Sequence, residues 1–374
     1  MEKPTKPRLI DAMGKALSLV RQSNLAEATE LLREALSGEA PQGQDSASDA
    51  PPPLAPGPAF APPPRRPLGE VLRALRAKPA APAGAPPEAE PAHAFGERFL
   101  KRVYRGPAGS LSYRLYLPAD HEGRDLALVL MLHGCSQNPE DFALGTQMNR
   151  LADEFGLIVA YPHQPRRANP SGCWNWFDRR HQTRGSGEPA KLAGLAQALA
   201  KEFGVGSERI FAAGLSAGGA MAEVLAATYP DVFEAVGVHS GLPYRSAVDV
   251  PSAFAAMKGA APVELVALAT SDRRCRRIII HGLADGTVDP VNGERILDQA
   301  GRGERLKRSD FDWEIAGGRI SRTVLEDDEG RPVVERWQVE GGGHAWFGGD
   351  PRGSYTQTVG LDASRVMVRF FLQR

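Results

Sequence analysis

Arg209-Ile210-Phe211-Ala212-Ala213-Gly214-Leu215-Ser216-Ala217-Gly218-Gly219-Ala220 is the stretch on which the reading of this chain turns. Arg209 to Ala213 is a short apolar run suited to a buried strand, and Ala217 to Tyr229 has the length and composition of a helix. The join between them, Gly214-Leu215-Ser216-Ala217-Gly218, is a G-x-S-x-G turn. In a glycine-rich chain such a pentapeptide arises readily by chance, so its placement between strand and helix is what makes it informative. A serine there sits on a strained turn with its hydroxyl raised above the sheet, and glycines on either side let neighbouring backbone pack with no Cβ in the way. Ser216 is therefore the candidate nucleophile.

Outward from that turn, strand-like and helix-like runs alternate. Leu111 to Leu117, Leu126 to Leu132, Gly156 to Tyr161, Phe233 to His239, Arg277 to His281 and Val333 to Val339 read as strands. Asp141 to Glu154, Ala190 to Phe203 and Leu361 to Leu372 read as helices. Alternation of this kind predicts an α/β fold, a mostly parallel central sheet with helices on both faces, whose chemistry lies beyond the carboxyl ends of the strands.

A serine hydroxyl needs a positioned base, and the base needs an acid to orient it. For a serine on this kind of turn the chain order is serine, acid, histidine. His344, in Gly341-Gly342-Gly343-His344-Ala345-Trp346, follows a predicted strand and precedes the last helix, where a loop can carry it over Ser216. Asp285 and Asp289 both follow the strand that ends at His281. Asp285 is preferred because it is nearer the strand end, whereas Asp289 precedes Pro290 and suits a helix cap. His281 reads as a structural hydrogen-bonder. For an oxyanion, the backbone N–H of Ala217 and that of Cys135, in His133-Gly134-Cys135-Ser136-Gln137, are the expected donors, with His133 propping the loop.

Aromatics gather in Cys173-Trp174-Asn175-Trp176-Phe177 and at Trp346-Phe347, so Trp174, Trp176 and Trp346 are candidate substrate-binding residues, with plain core as the alternative. Cys135 and Cys173 lie in loops expected to meet above the sheet, which leaves both a disulfide and free thiols open. No histidine or cysteine spacing suits a metal, and there is neither a P-loop nor a dinucleotide fingerprint, so no cofactor is expected. With 45 basic and 45 acidic side chains, a general polyanion binder is disfavoured and no nucleic acid is expected. The longest apolar run of the globular part is too short to span a membrane.

Three regions follow: residues 1–37, a helical hairpin or amphipathic segment; 38–94, a proline- and alanine-rich linker expected to be disordered; and 95–374, the catalytic domain. Leu9, Met13, Leu17 and Val20, then Leu25, Leu31 and Leu32, recur at helical spacing and need a partner surface. That surface is either the chain's own globular domain, a second copy or a polymer granule reached through residues 9–36. Charges interrupt the first residues, so no signal peptide is read and a cytoplasmic location is expected, with an extracellular one as the alternative.

With these residues assembled, the chain resembles the polyhydroxybutyrate depolymerase family of esterases, of the α/β-hydrolase superfamily, and is similar also to feruloyl and acetylxylan esterases. The likeness runs from about Phe95 onward and rests on His133 to Gln137, Cys173 to Phe177, Arg184 to Glu188, Gly214 to Met221, Tyr229 to Phe233, His239 to Tyr244, His281-Gly282 with Asp285, and Gly343 to Trp346. It implies a serine carboxylic ester hydrolase acting through an acyl-enzyme, with Ser216, Asp285 and His344 as its triad and an ester or polyester as substrate. Tyr244, within one of these stretches, joins the substrate-binding candidates. The alternative from another class is a non-catalytic granule- or partner-binding protein on the same fold, against which the intact triad argues.

Overall fold

Leu128, Leu130 and Leu132 alternate along one strand with Ala127, Val129 and Met131, and all six side chains are fully buried. A strand apolar on both sides must be covered on both, since each buried leucine contributes roughly 1.5–3 kcal/mol only if water is kept off it. The computed structural model describes residues 96–373 apart from 120, 261–273, 304, 316–317 and 359. Within them that strand lies inside a ten-stranded sheet. The readings made for residues 1–37 and 38–94 fall outside the described residues.

The strands are β1 (Phe99–Gly106), β2 (Gly109–Tyr116), β3 (Ala127–Leu132), β4 (Leu157–Pro162), β5 (Ile210–Leu215), β6 (Ala235–His239), β7 (Arg276–Gly282), β8 (Lys307–Ile315), β9 (Gly318–Glu326) and β10 (Pro332–Val339). In space they run β1-β2-β4-β3-β5-β6-β7-β10-β9-β8. From β4 to β10 neighbours are parallel, while β1 and β2 at one margin and β9 and β8 at the other are antiparallel. One face packs against α3 (Gly187–Phe203), α4 (Ala217–Thr228), α5 (Val250–Met257) and α6 (Val291–Gly301). The other packs against α1 (Pro139–Thr146), α2 (Met148–Phe155) and α7 (Ala363–Leu372). Arg276 reaches from the start of β7 to the carbonyls of Phe370 and Phe371, satisfying acceptors that the last turn of α7 leaves open.

The strand order reverses between β3 and β5, because the chain leaves β3 for β4 on one side and returns to β5 on the other. A crevice opens above such a reversal, outside the carboxyl ends of the strands. His133 leaves β3 there, Ser216 leaves β5, and the loops after β7 and β10 carry Asp285 and His344.

Two local features differ from the expectation. The helix read as continuous from Asp141 to Glu154 is two helices, broken at Gln147, whose φ of 53° ends α1 by turning its N–H to the carbonyl of Ala143. Strands β1, β8 and β9 carry no strong signal, because their pattern is mixed: Lys307, Ser309, Phe311 and Trp313 occupy alternate positions of a strand that is largely exposed among its described side chains. Among the described residues, no helix is long and apolar enough to cross a membrane.

Candidate active site

Ser216 has φ 57° and ψ −118°, a conformation that costs a residue with a Cβ about 1–3 kcal/mol and persists only when its surroundings impose it. Its N–H donates to the carbonyl of His239 at 2.9 Å, and its own carbonyl accepts from Ala220 at 2.9 Å, so the turn is fastened to β6 and to α4. Space is equally constrained. A Cβ on Gly218 would stand 2.0 Å from the carbonyl oxygen of Leu132, and one on Gly214 would stand 2.3 Å from the carbonyl carbon of Gly218. Both obstacles are backbone, which cannot rotate away.

Nδ1 of His344 lies 2.8 Å from Oδ2 of Asp285, whose side chain is fully buried. The other carboxylate oxygen accepts the backbone N–H of Thr287 and of Val288, each at 2.9 Å. His281, also buried, directs Nε2 at the carbonyl of Val288 (2.9 Å) and at Oδ2 of Asp285 (3.4 Å). Burial pushes the Asp285 carboxyl up, but the donors on His281 and His344 and the backbone amides outweigh it and hold the group well below the ordinary carboxylate range. Asp289 instead accepts the N–H of Val291 at the start of α6. Of the two acids the sequence offers, the structure joins Asp285 to the histidine.

After β3, Nδ1 of His133 bonds the carbonyl of Gly134 (2.8 Å) and Nε2 accepts the N–H of Gln164 (3.2 Å). Burial lowers this imidazole to about pH 4, so it stays neutral and holds the loop. Gly134 donates to Gln137 Oε1, and a Cβ placed on Gly134 would sit 3.7 Å from that of Ser216. A disulfide joins Cys135 to Cys173, tying this loop to the aromatic one, and Glu188 accepts from Gln164 and from both nitrogens of Asn175 beneath it. Ala217 is the first residue of its helix, where an N–H has no intrahelical acceptor. Neither that amide nor the Cys135 N–H donates to a protein acceptor among the described residues.

The aromatic residues occupy other positions than an open wall requires. Trp174, Trp176, Tyr244 and Trp346 are at most 8% exposed. Three of them spend their polar tips within the chain: Trp174 on the carbonyl of His133, Tyr244 on that of Gln182 and Trp346 on Ser364. Trp346 stacks on His239, the residue whose carbonyl holds Ser216. These rings brace the loops of the site. The exposed aromatic beside the histidine is Tyr355, with its ring centroid 6.5 Å from that of His344 and 49% of its surface open. Sequence reading missed it, because nothing in Gly353-Ser354-Tyr355 marks a loop that returns to the strand ends. Ser216 is partly exposed, and its hydroxyl makes no hydrogen bond to the ring of His344 in this structure; such contacts are often long before substrate binds. Among the described residues no group of histidine, cysteine and acidic side chains is disposed to hold a metal ion.

Comparison with known proteins bears on this arrangement. Residues 111–307, more than half of the chain, match the family model described as esterase PHB depolymerase. Poly(3-hydroxyalkanoate) depolymerase C of Paucimonas lemoignei is 30% identical over 226 residues, which cover 58% of this chain and 54% of that one. Feruloyl esterase B of Thermothelomyces thermophilus is 31% identical over 200 residues, covering 50% and 67%. The chain thus spans about half the length of the depolymerase it matches. Among solved structures, acetyl xylan esterase from Aspergillus awamori superposes with a TM-score of 0.56 at 20% identity, over 72% of this chain and 98% of that one. This likeness establishes the α/β-hydrolase fold.

Proposed function

The chain belongs to the esterase PHB depolymerase family, and from that premise we propose that it is a serine carboxylic ester hydrolase working through Ser216, His344 and Asp285. The observation that carries the reading is the 2.8 Å bond from His344 Nδ1 to Asp285 Oδ2, in a loop tied by the Phe347 N–H to His239, the residue whose carbonyl holds Ser216. That bond keeps the proton on Nδ1, which leaves Nε2 free to accept one. In the proposed reaction Nε2 takes the Ser216 proton as Oγ bonds to the ester carbonyl carbon. The oxyanion is held by the N–H groups of Ala217 and Cys135. Collapse breaks the bond to the leaving alkoxide, which takes the proton from His344; water, deprotonated by the same nitrogen, then releases the acid and restores the serine.

The preferred substrate is a poly(3-hydroxyalkanoate) or its oligomers, as the name of one relative suggests; the names of others favour feruloyl or acetylxylan esters as the second reading. Hydrolysis of a chromogenic butyrate ester tests the chemistry: Ser216→Ala is expected to lose at least about 10⁴-fold in kcat, and a variant turning over at the wild-type rate refutes the assignment. A panel of hydroxyalkanoate oligomers, feruloyl esters and acetylated xylan ranks the substrates. The Cys135–Cys173 disulfide supports an oxidising compartment and so the extracellular alternative. Attachment to a polymer granule through residues 9–36 would appear as co-sedimentation with polymer that deletion of those residues removes; unchanged sedimentation excludes it.

A further inference from the structure

Two left-handed, non-glycine residues meet across the candidate site. Ser136 has φ 62° and Tyr355 has φ 52°, and their hydroxyl oxygens lie 3.3 Å apart although 219 positions separate them in sequence. A side chain with a Cβ, and a bulky one above all, enters this region at a cost, so the surrounding bonds must impose it. Those bonds are present. The carbonyl of Tyr355 accepts from Trp346 N at 2.7 Å, and Ser354 next to it is bound to Asp141 and to Gln137. On the other side Ser136 N donates to the carbonyl of Ser171 at 2.8 Å. The Ser136 hydroxyl donates to the carbonyl of Cys135 at 2.6 Å, so its proton is committed and Tyr355 is the donor to it.

The chain of donors thus runs from the Tyr355 hydroxyl to Ser136 Oγ and on to the carbonyl of Cys135, the residue whose N–H is assigned to the oxyanion. It passes from the edge of His344 to the loop beside Ser216, and both of its hydroxyl-bearing residues are exposed. The oxygen of Tyr355 keeps lone pairs to accept a hydroxyl, and its proton can turn instead to an acceptor.

We propose that Tyr355, oriented by Ser136, is a specificity-determining residue that hydrogen-bonds an oxygen substituent on the acyl chain close to the scissile carbonyl, so that hydroxyacyl esters are preferred over plain acyl esters. The proposal rests on the ester-hydrolase reading and assigns to Tyr355 the recognition of its preferred substrate class. A hydroxyl that contributes one hydrogen bond to the favoured substrate alone is worth about tenfold in relative kcat/KM.

The experiment follows acid release from methyl 3-hydroxybutyrate and from methyl butyrate with the full chain, and takes the ratio of the two kcat/KM values. Tyr355→Phe, which keeps the ring, is expected to lower that ratio about tenfold, and Ser136→Ala to lower it by a smaller factor by releasing the tyrosine. Because both rates come from one preparation, partial loss of folded protein cancels in the ratio. A Tyr355→Phe ratio within twofold of the wild-type value, or a wild-type protein that hydrolyses only the butyrate ester, overturns the proposal while leaving the esterase reading standing. Turnover of neither ester by the wild type overturns both.

Discussion

Replacing Asp285 with asparagine changes one atom and tests how the acid acts on the histidine. Oδ1 of Asp285 receives two backbone N–H groups, from Thr287 and Val288, each at 2.9 Å. An asparagine must keep its carbonyl oxygen there, because the flipped amide would set NH₂ against both donors and forfeit two hydrogen bonds of about 1 kcal/mol each. The amide nitrogen therefore faces Nδ1 of His344, now 2.8 Å from a donor where there was an acceptor. Nδ1 must give up its proton, Nε2 carries it, and the ring can no longer take one from Ser216. In serine proteases the same exchange costs on the order of 10⁴ in kcat, about 5.5 kcal/mol in the barrier. Asp285→Asn is thus expected to fold, with a thermal melt near that of the wild type, and to hydrolyse a chromogenic butyrate ester ~10⁴-fold more slowly at pH 8. Activity within about tenfold of the wild type, in protein with an intact melt, would refute the proton bookkeeping at His344.

Removing the disulfide by Cys135→Ser with Cys173→Ser opens a loop whose ends are 38 residues apart, and chain entropy sets the stability loss at about 4 kcal/mol. The same pair should lower kcat more than it raises KM, because the Cys135 amide is proposed to meet the oxyanion rather than the bound ester; urea unfolding and steady-state kinetics check both, and a fully stable, fully active pair contradicts them. Acid should destabilise the protein before its carboxylates titrate. Burial lowers His133 to about 4 and holds His239 well below its ordinary value. Both stay neutral in the fold while the unfolded chain binds their protons, so the stabilisation is complete above about pH 6.5 and declines below it, by about 3 kcal/mol from His133 alone as pH falls toward 4. Asp285 acts in the next window down, its contribution being present above about pH 4 and lost below. An unfolding free energy that does not change between pH 7 and pH 4.5 would exclude this account of the histidines.

Local chemistry determined a good part of this protein in advance. The strand leading to Gly214, the turn at Ser216 and the helix after it are specified within twenty residues, because apolar strands buried on both faces, tight turns and helix starts each impose their own residue types. The strands β2 to β7 and β10 were legible for the same reason, as were the loops after β7 and β10 that bring Asp285 and His344 into contact. His281 also took the role its position suggested, directing Nε2 at the carbonyl of Val288.

What tertiary structure decided is which surfaces meet. Strands β8 and β9 extend the sheet beyond its buried centre, and in β8 the apolar alternation is confined to Phe311, Trp313 and Ile315 at one end of a strand that is otherwise polar. Trp174, Trp176, Tyr244 and Trp346 have the composition of a pocket wall, yet only the packing of the loops showed that they face inward. The disulfide and the Ser136–Tyr355 pair join residues 38 and 219 positions apart. Sequence specifies each of those loops through its own turns, but contact across the crevice depends on where the sheet sets the ends of β3, β4 and β10. That geometry is a property of the whole packed core, in which every strand position is fixed by all of its neighbours.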